Sequence, residues 1–152
     1  MSFPSIYLQS TTDELVSRIN SVDPDQSPLW GKMNASQMMA HCCVPYELLL
    51  DERKFNAPWV IKFLGKYLFK GIMTSEKIYP KNSPTGKDFV IKGKREFEHE
   101  KKKLLEYVTK CHALGETYFE GKKHSFIGNI RAREWSILLY KHLDHHLRQF
   151  GV

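Results

Sequence analysis

The stretch Trp135–Phe150, WSILLYKHLDHHLRQF, decides how the rest of the chain is read. At 3.6 residues per turn, Trp135, Leu138, Leu139, His142, His146 and the Gln149/Phe150 pair share one side of a helix, so two histidines interrupt an apolar stripe. A stripe that only packs gains nothing from an imidazole. His142 and His146 stand at i and i+4, about 6 Å apart along the axis and roughly 40° apart around it, so both rings can reach one ion. Unliganded core histidines also occur at this spacing, and the spacing alone leaves both readings open.

At 152 residues, with 41% hydrophobic and 26% charged residues, the chain fits one domain with a core that needs neither disulfide nor structural metal. A metal, if bound, is then expected to serve chemistry. The net charge of +6 invites a nucleic-acid reading. The lysines are scattered, however, and no zinc-finger spacing, RNP-like strand or helix-turn-helix pattern accompanies them, so no nucleic-acid partner is expected. Three cysteines, Cys42, Cys43 and Cys111, make no extracellular framework, and the first two are adjacent and badly placed to bridge each other. They read as small buried residues. No leader pattern opens the chain and no apolar run approaches the ~20 residues that span a bilayer, so an unprocessed, cytoplasmic protein without stable membrane association is expected.

Working back from the last helix, four amphipathic segments emerge. Thr11 to Val22 carries Leu15, Val16 and Ile19 at helical spacing and stops before Asp23-Pro24. In LWGKMNASQMMAHCCVPYELLLDE, Asn34 and Gln37 are placed as a capping box, with Met33 and Met38 at the staple positions, so a helix starts near Ala35. Met38, His41, Cys42, Pro45 and Leu48/Leu49 then face the core, which makes His41 a third inward histidine. Pro45 removes the N–H that would bond to the His41 carbonyl and should loosen the helix there. Ala57 to Met73 reads as a basic amphipathic helix, with Lys62, Lys66 and Lys70 at i+4, suited to a lid over a bundle. Tyr79 to Gly86 is turn chemistry. Arg95 to Leu114 is a long helix with Gly115 as its stop, and His99 and His112 on it are expected at the surface or satisfied. His99-Glu100 fails the HExxH pattern because Lys103 stands where the second histidine belongs. A loop with His124-Ser125-Phe126-Ile127-Gly128 leads into the last helix.

No alternating strand pattern interrupts this order, so the fold class expected is all-α, a helical bundle. One histidine from the second long helix and the i, i+4 pair from the last place three imidazoles around a divalent ion, with a further position open to water or substrate, as in a catalytic zinc site. Nickel, iron and manganese also accept imidazole, and the residues do not choose among them.

The residues LWGKMNASQMMAHC, the loop HSFIG and above all EWSILLYKHLDHHLRQFGV resemble the DinB/YfiT-like superfamily, in a branch catalogued as a domain of unknown function. The resemblance covers nearly the whole chain. It implies a four-helix bundle, with an extra short helix or lid between the second and third bundle helices, and a metal held by three histidines that map onto His41, His142 and His146. His145, about 60° from His142 on the other side, is the alternate ligand should the helix be rotated. Two departures stand out. Ser125 replaces the usual proline of the loop, and Arg131 stands where a Ser or Thr usually caps the last helix, which leaves Asn129 as a candidate cap.

The resemblance also implies a reaction class, since relatives include thiol S-transferases and metal-dependent hydrolases. An ion on three neutral imidazoles, zinc or nickel above all, depresses the pKa of a thiol or water, and a low-molecular-weight thiol would then be the co-substrate. No carboxylate stands at a spacing that puts a base beside His41 or His142, which favours thiol activation, although Glu47, Glu52 or a loop carboxylate could approach in three dimensions. His124 is the candidate catalytic residue at the mouth of the site, and as a loop histidine it could equally only pack. Trp30, Trp135 and Tyr140 are candidates to line the pocket or to serve as core. The function expected is a metal-dependent enzyme, transferase or hydrolase, acting on a small molecule. The alternative is a metal- or ligand-binding stress-response protein without turnover. The expected partners are the small-molecule substrate and, at most, a second copy of the chain.

Overall fold

A computed structural model describes residues 2–53, 60, 63, 68–86, 89–124 and 127–152. Among them are five helices and one hairpin of two-residue strands: α1 (Gln9–Asn20), α2 (Ala35–Leu49), α3 (Lys70–Thr74), α4 (Phe97–Phe119), β1 (Lys123–His124), β2 (Gly128–Asn129) and α5 (Ala132–Gln149). The class is all-α. The strands pair antiparallel, Lys123 with Asn129 and His124 with Gly128. None of the described helices is long and apolar enough to cross a membrane.

The four longer helices pack on one apolar interior formed by Leu15 and Ile19 of α1, Met38, Met39 and Leu49 of α2, Leu104 and Cys111 of α4, and Trp135, Leu139 and Leu147 of α5. Burial of this surface at roughly 25 cal/mol per Å² is what sets the helices against one another. Cys42, Cys43 and Cys111 are free and buried within it, as expected of small apolar residues. Tyr46 and Tyr107 stack across α2 and α4, ring centroids 5.8 Å apart.

Each helix shows why the sequence starts or stops it there. The Asn34 Oδ1 accepts from the Gln37 N–H at 2.9 Å, and the Gln37 Oε1 accepts from the Asn34 N–H at 3.2 Å, so the capping box forms as read. α2 then continues through Pro45 to Leu49. α1 begins earlier than the Thr11 start expected, because Thr11 and Thr12 lie inside the helix rather than capping it. The Thr12 hydroxyl donates back to the Leu8 carbonyl at 3.3 Å. Gly115 does interrupt α4, with φ 71° and ψ 169°, a conformation open to glycine, but helical structure resumes and runs on to Phe119. The loop expected between Gly121 and Gly128 contains the hairpin instead, and its residues 125 and 126 lie outside the described residues.

The last helix starts at Ala132, one turn before Trp135. Asn129 is in β2 and does not cap it. Arg131 occupies the cap position, and since a guanidinium cannot accept, two carboxylates take over the role. Glu134 accepts from the Arg131 N–H at 2.8 Å and Glu120 from the Ala132 N–H at 2.9 Å. Most of the basic helix expected over Ala57 to Met73 lies outside the described residues. Of its described part, Lys70–Thr74 forms α3, while Val60, Phe63 and Leu68 are exposed.

The capping box gives the first test. Asn34→Ala removes the acceptor for the Gln37 N–H, and equilibrium urea unfolding should show a loss of about 1 kcal/mol with an unchanged m-value.

Candidate metal centre

α2 and α5 face each other with their histidines inward. His41 sits nearly two turns into α2 and is buried. His142 and His146 extend from consecutive turns of α5. One ring nitrogen from each of His41, His142 and His146 lies within 4.8 Å of the others. The ring centroids are 4.9 Å apart for His41 and His142, 4.7 Å for His41 and His146, and 4.8 Å for His142 and His146. His41 and His146 are buried, and His142 is half-buried. The three imidazoles therefore lie close together and could hold a metal.

Hydrogen bonds at the outer nitrogens decide which nitrogen each ring presents. The His41 Nδ1 lies 2.8 Å from the Phe89 carbonyl, which can only accept, so Nδ1 carries the proton and Nε2 is a bare lone pair. The His146 Nδ1 lies 2.8 Å from the Gln149 Oε1. The Gln149 Nε2 donates to the Trp30 carbonyl, which fixes the amide the same way round, so His146 too must donate from Nδ1 and present a bare Nε2. The His142 Nε2 lies 3.0 Å from the His41 Nε2 and donates to it, since the His41 nitrogen has no proton of its own. A shared ion would take the place of that one proton. Two nitrogens at 2.0–2.1 Å from a tetrahedral zinc stand about 3.3 Å apart, close to the 3.0 Å between His41 and His142, and with all three ligand nitrogens within 4.8 Å of one another the donor set could hold a divalent cation once the rings draw together.

Burial keeps all three rings uncharged at neutral pH. It lowers the pKa of His41, opposed by the bond to Phe89, and pushes His142 well down, with the neighbouring His146, His41 and His145 adding to the effect. Burial first, then His41, brings His146 to about 3, against the bond to Gln149. Burial thus favours, at each ring, the uncharged form that can offer a lone pair to a cation.

Gln149 is the residue that reading the sequence missed in this role. Its neighbour Leu29 donates an N–H to the Gln149 carbonyl at 2.8 Å, so the Leu29–Gly31 turn is tied to the end of α5 by both backbone and side chain. Gly31 completes the arrangement. Its φ is +81°, and a Cβ there would lie 2.5 Å from the Gln149 Nε2, so a side chain would be strained and would have to displace that amide. The available signal was an amide three residues after a candidate ligand on the same helix face.

The other candidates fall elsewhere. His145 does not join the cluster; its ring lies between those of Trp30 and Tyr79, at 5.6 and 5.9 Å. His124 packs on Trp135 at 5.2 Å, and its Nδ1 accepts from the Ile127 N–H at 3.3 Å. Trp135 precedes His142 by seven residues, about 10.5 Å along the helix, so His124 is placed well along α5 from the three rings. Burial lowers its pKa to about 4. Trp135 and Tyr140 belong to the core, whereas Trp30 lines a pocket. His99 is exposed and His112 is satisfied by the Tyr7 carbonyl at 2.9 Å. Glu47 is bound to Lys103 at 2.6 Å and Glu52 to Tyr107 and Lys110, so both carboxylates are committed to α4. Among the described residues no carboxylate joins the three histidines.

A family model described as a protein of unknown function, DUF1569, matches residues 7–151 and so spans all three histidines. The chain belongs to the DUF1569 family. No curated protein and no solved structure matches it. In this DUF1569 protein the matched region also contains Gly31, Trp30, Phe89 and Gln149, so the residues that orient the rings lie inside the family domain with the rings themselves.

Two measurements check the site. His146 and His124 have folded pKa values of about 3 and about 4, below the unfolded value near 6.5, so the unfolded chain binds protons first as pH falls. The metal-free protein should hold its full stability above about pH 6.5 and lose it progressively toward pH 3–4, by up to ~1.4 kcal/mol per pH unit for each such histidine. Urea midpoints between pH 8 and pH 4 read this out, and a flat profile would contradict it. Gln149→Leu, which keeps the volume but frees the His146 ring, should weaken zinc binding about 10- to 100-fold in a competitive chelator titration.

Proposed function

We propose that this protein is a metal-dependent enzyme of the DinB/YfiT-like kind, a thiol S-transferase or hydrolase acting on a small molecule. The observation that carries the reading is the convergence of His41, His142 and His146 from two helices, with the Nδ1 protons of His41 and His146 committed to fixed acceptors. The Nε2 atoms of His41 and His146 carry no proton of their own, and an ion in place of the single proton that His142 donates to His41 would be met by all three rings. The arrangement of four longer helices around one core is what a four-helix bundle of that superfamily would require.

His41, His142 and His146 would hold the ion, zinc or nickel being the expected occupants, and three protein ligands leave a position for a small molecule. When bound there, such an ion lowers the pKa of a thiol or water and supplies a nucleophile at neutral pH. The chain's own contribution is orientation and exclusion of protons. Phe89 and Gln149 hold two rings in one tautomer, and the surrounding apolar side chains keep all three uncharged. The lack of a carboxylate beside the histidines among the described residues favours the thiol over water, because a thiol needs no separate base once its pKa is depressed. A low-molecular-weight thiol is therefore the expected co-substrate.

Elemental analysis of protein purified without a histidine tag should find about one divalent ion per chain, and His142→Ala should abolish it. The loaded protein should accelerate attack of small thiols on a soft electrophile. Removal of the ion with a chelator should cancel the rate, and zinc or nickel should restore it. Metal uptake that His142→Ala leaves intact would end this reading.

A further inference from the structure

Next to the histidines, α5 and the segment from Ile78 to Lys81 enclose a pocket of about 60 Å³. Two aromatic walls, Trp30 and Tyr79, flank the His145 ring there. Each wall has an ammonium over its face. The Lys81 Nζ is 4.6 Å from the Trp30 centroid and the Lys141 Nζ is 4.4 Å from the Tyr79 centroid. Arg148 brings a third cation to the same space.

The negative groups nearby are already engaged. Asp144 lines the pocket but is bound by Arg18 at 2.9 Å and approached by Arg148 at 3.8 Å, two cations to one carboxylate. Glu76, which acts on Lys141 through space, is bound by Arg133 at 2.8 Å and by the Phe3 N–H at 2.7 Å. His145 is held below its usual pKa, by burial first and by Arg148 and His41 against the pull of Asp144, and adds no charge at neutral pH.

Lys141 is the least expected of these residues. It is 1% exposed on a helix face that a lysine would normally leave. Two of its three N–H groups donate to the Ile72 and Ser75 carbonyls, each at 2.8 Å. Among the described residues its charge is met by peptide dipoles and a ring face, with no carboxylate in ion-pair contact. A buried ammonium without a carboxylate in contact is costly, and Lys141 is among the residues that line the pocket.

We propose that this pocket is an anion subsite, in which Lys81, Lys141 and Arg148 receive a carboxylate or phosphate group of the small-molecule substrate beside the histidine cluster. The proposal deepens the metal-site reading and rests on it only for where the rest of that substrate lies. Complete small-molecule sites occupy ~300–1,000 Å³, so a space of this size takes one charged group and leaves the remainder of the molecule outside it. His145 borders both places, its ring 5.1 Å from that of His146, so an anchored group is held one side chain away from the proposed ion. Carboxylate and phosphate share the required chemistry, a compact anion with several acceptor oxygens.

The test uses the full chain and titrates inorganic phosphate and acetate separately, at an ionic strength held constant with chloride, following the Trp30 indole and His145 ring signals by NMR. At least one of the two ions should saturate the pocket signals in the millimolar range. The exposed pair K81Q/R148Q should weaken that binding about tenfold or more, and His142→Ala should leave it unchanged. Tighter phosphate binding assigns a phosphate ester, and tighter acetate binding a carboxylate. Binding no stronger than that of chloride, or an undiminished response in K81Q/R148Q, overturns the subsite. Binding lost in His142→Ala but kept in K81Q/R148Q would put the anion at the histidines, which removes the subsite and leaves the metal reading standing. Failure of metal uptake with pocket binding intact removes the metal reading alone.

Discussion

The carboxamide of Gln149 is the constraint on which the site depends. One end accepts the Nδ1 proton of His146, and the other donates to the Trp30 carbonyl. A side chain able to do both must have a donor and an acceptor in fixed positions, which the carboxamide offers. The amide sits at the close of α5, so orienting His146 also ties the end of that helix to the turn before α2. Gly31 is part of the same constraint, because the amide occupies the volume its Cβ would need.

From that point the arrangement extends to the other two rings. α2 is started by the Asn34–Gln37 box three residues after Gly31, so the same turn that holds Gln149 also sets where His41 enters the interior. Phe89, from the segment before α4, fixes the His41 proton from the far side. With two rings locked in the tautomer that bares Nε2, the third follows, and His142 is left as the only ring whose proton faces inward. The low polarity of the interior completes the effect, since charging any one of three adjacent imidazoles would place a cation beside two others in a poorly solvated space.

Polar residues do unequal work along α5. One face contributes Trp135, Leu138, Leu139 and Leu147 to the core, and the histidines interrupt its apolar residues. The adjacent face brings Lys141, His145 and Arg148 to the pocket. A single helix thus serves packing, proposed metal binding and proposed anion recognition on neighbouring strips, and the i, i+3 and i+4 repeats that define each strip come from the same helical period. Lys141 spans two of these roles, anchoring α3 through the Ile72 and Ser75 carbonyls while its stem lies among buried residues.

The sequence by itself determined the helical class, the start of α2 at its capping box, and the inward direction of His41, His142 and His146, because all three follow from local period and cap chemistry. Local rules were less sufficient at the ends of other helices. Thr11 and Thr12 read as a start yet bond back to the preceding turn, Gly115 reads as a stop yet only interrupts α4, and Arg131 is a poor cap that two carboxylates replace, one of them twelve residues away. Only the tertiary structure decided that His145 turns toward Trp30 and Tyr79, that His124 packs on Trp135, and that Lys141 is buried. The same holds for Gln149 and Phe89 as the groups that orient the rings. Periodicity gives the direction in which a side chain leaves its helix. Which partner it meets there depends on residues distant in the chain, brought close by packing that no local pattern encodes.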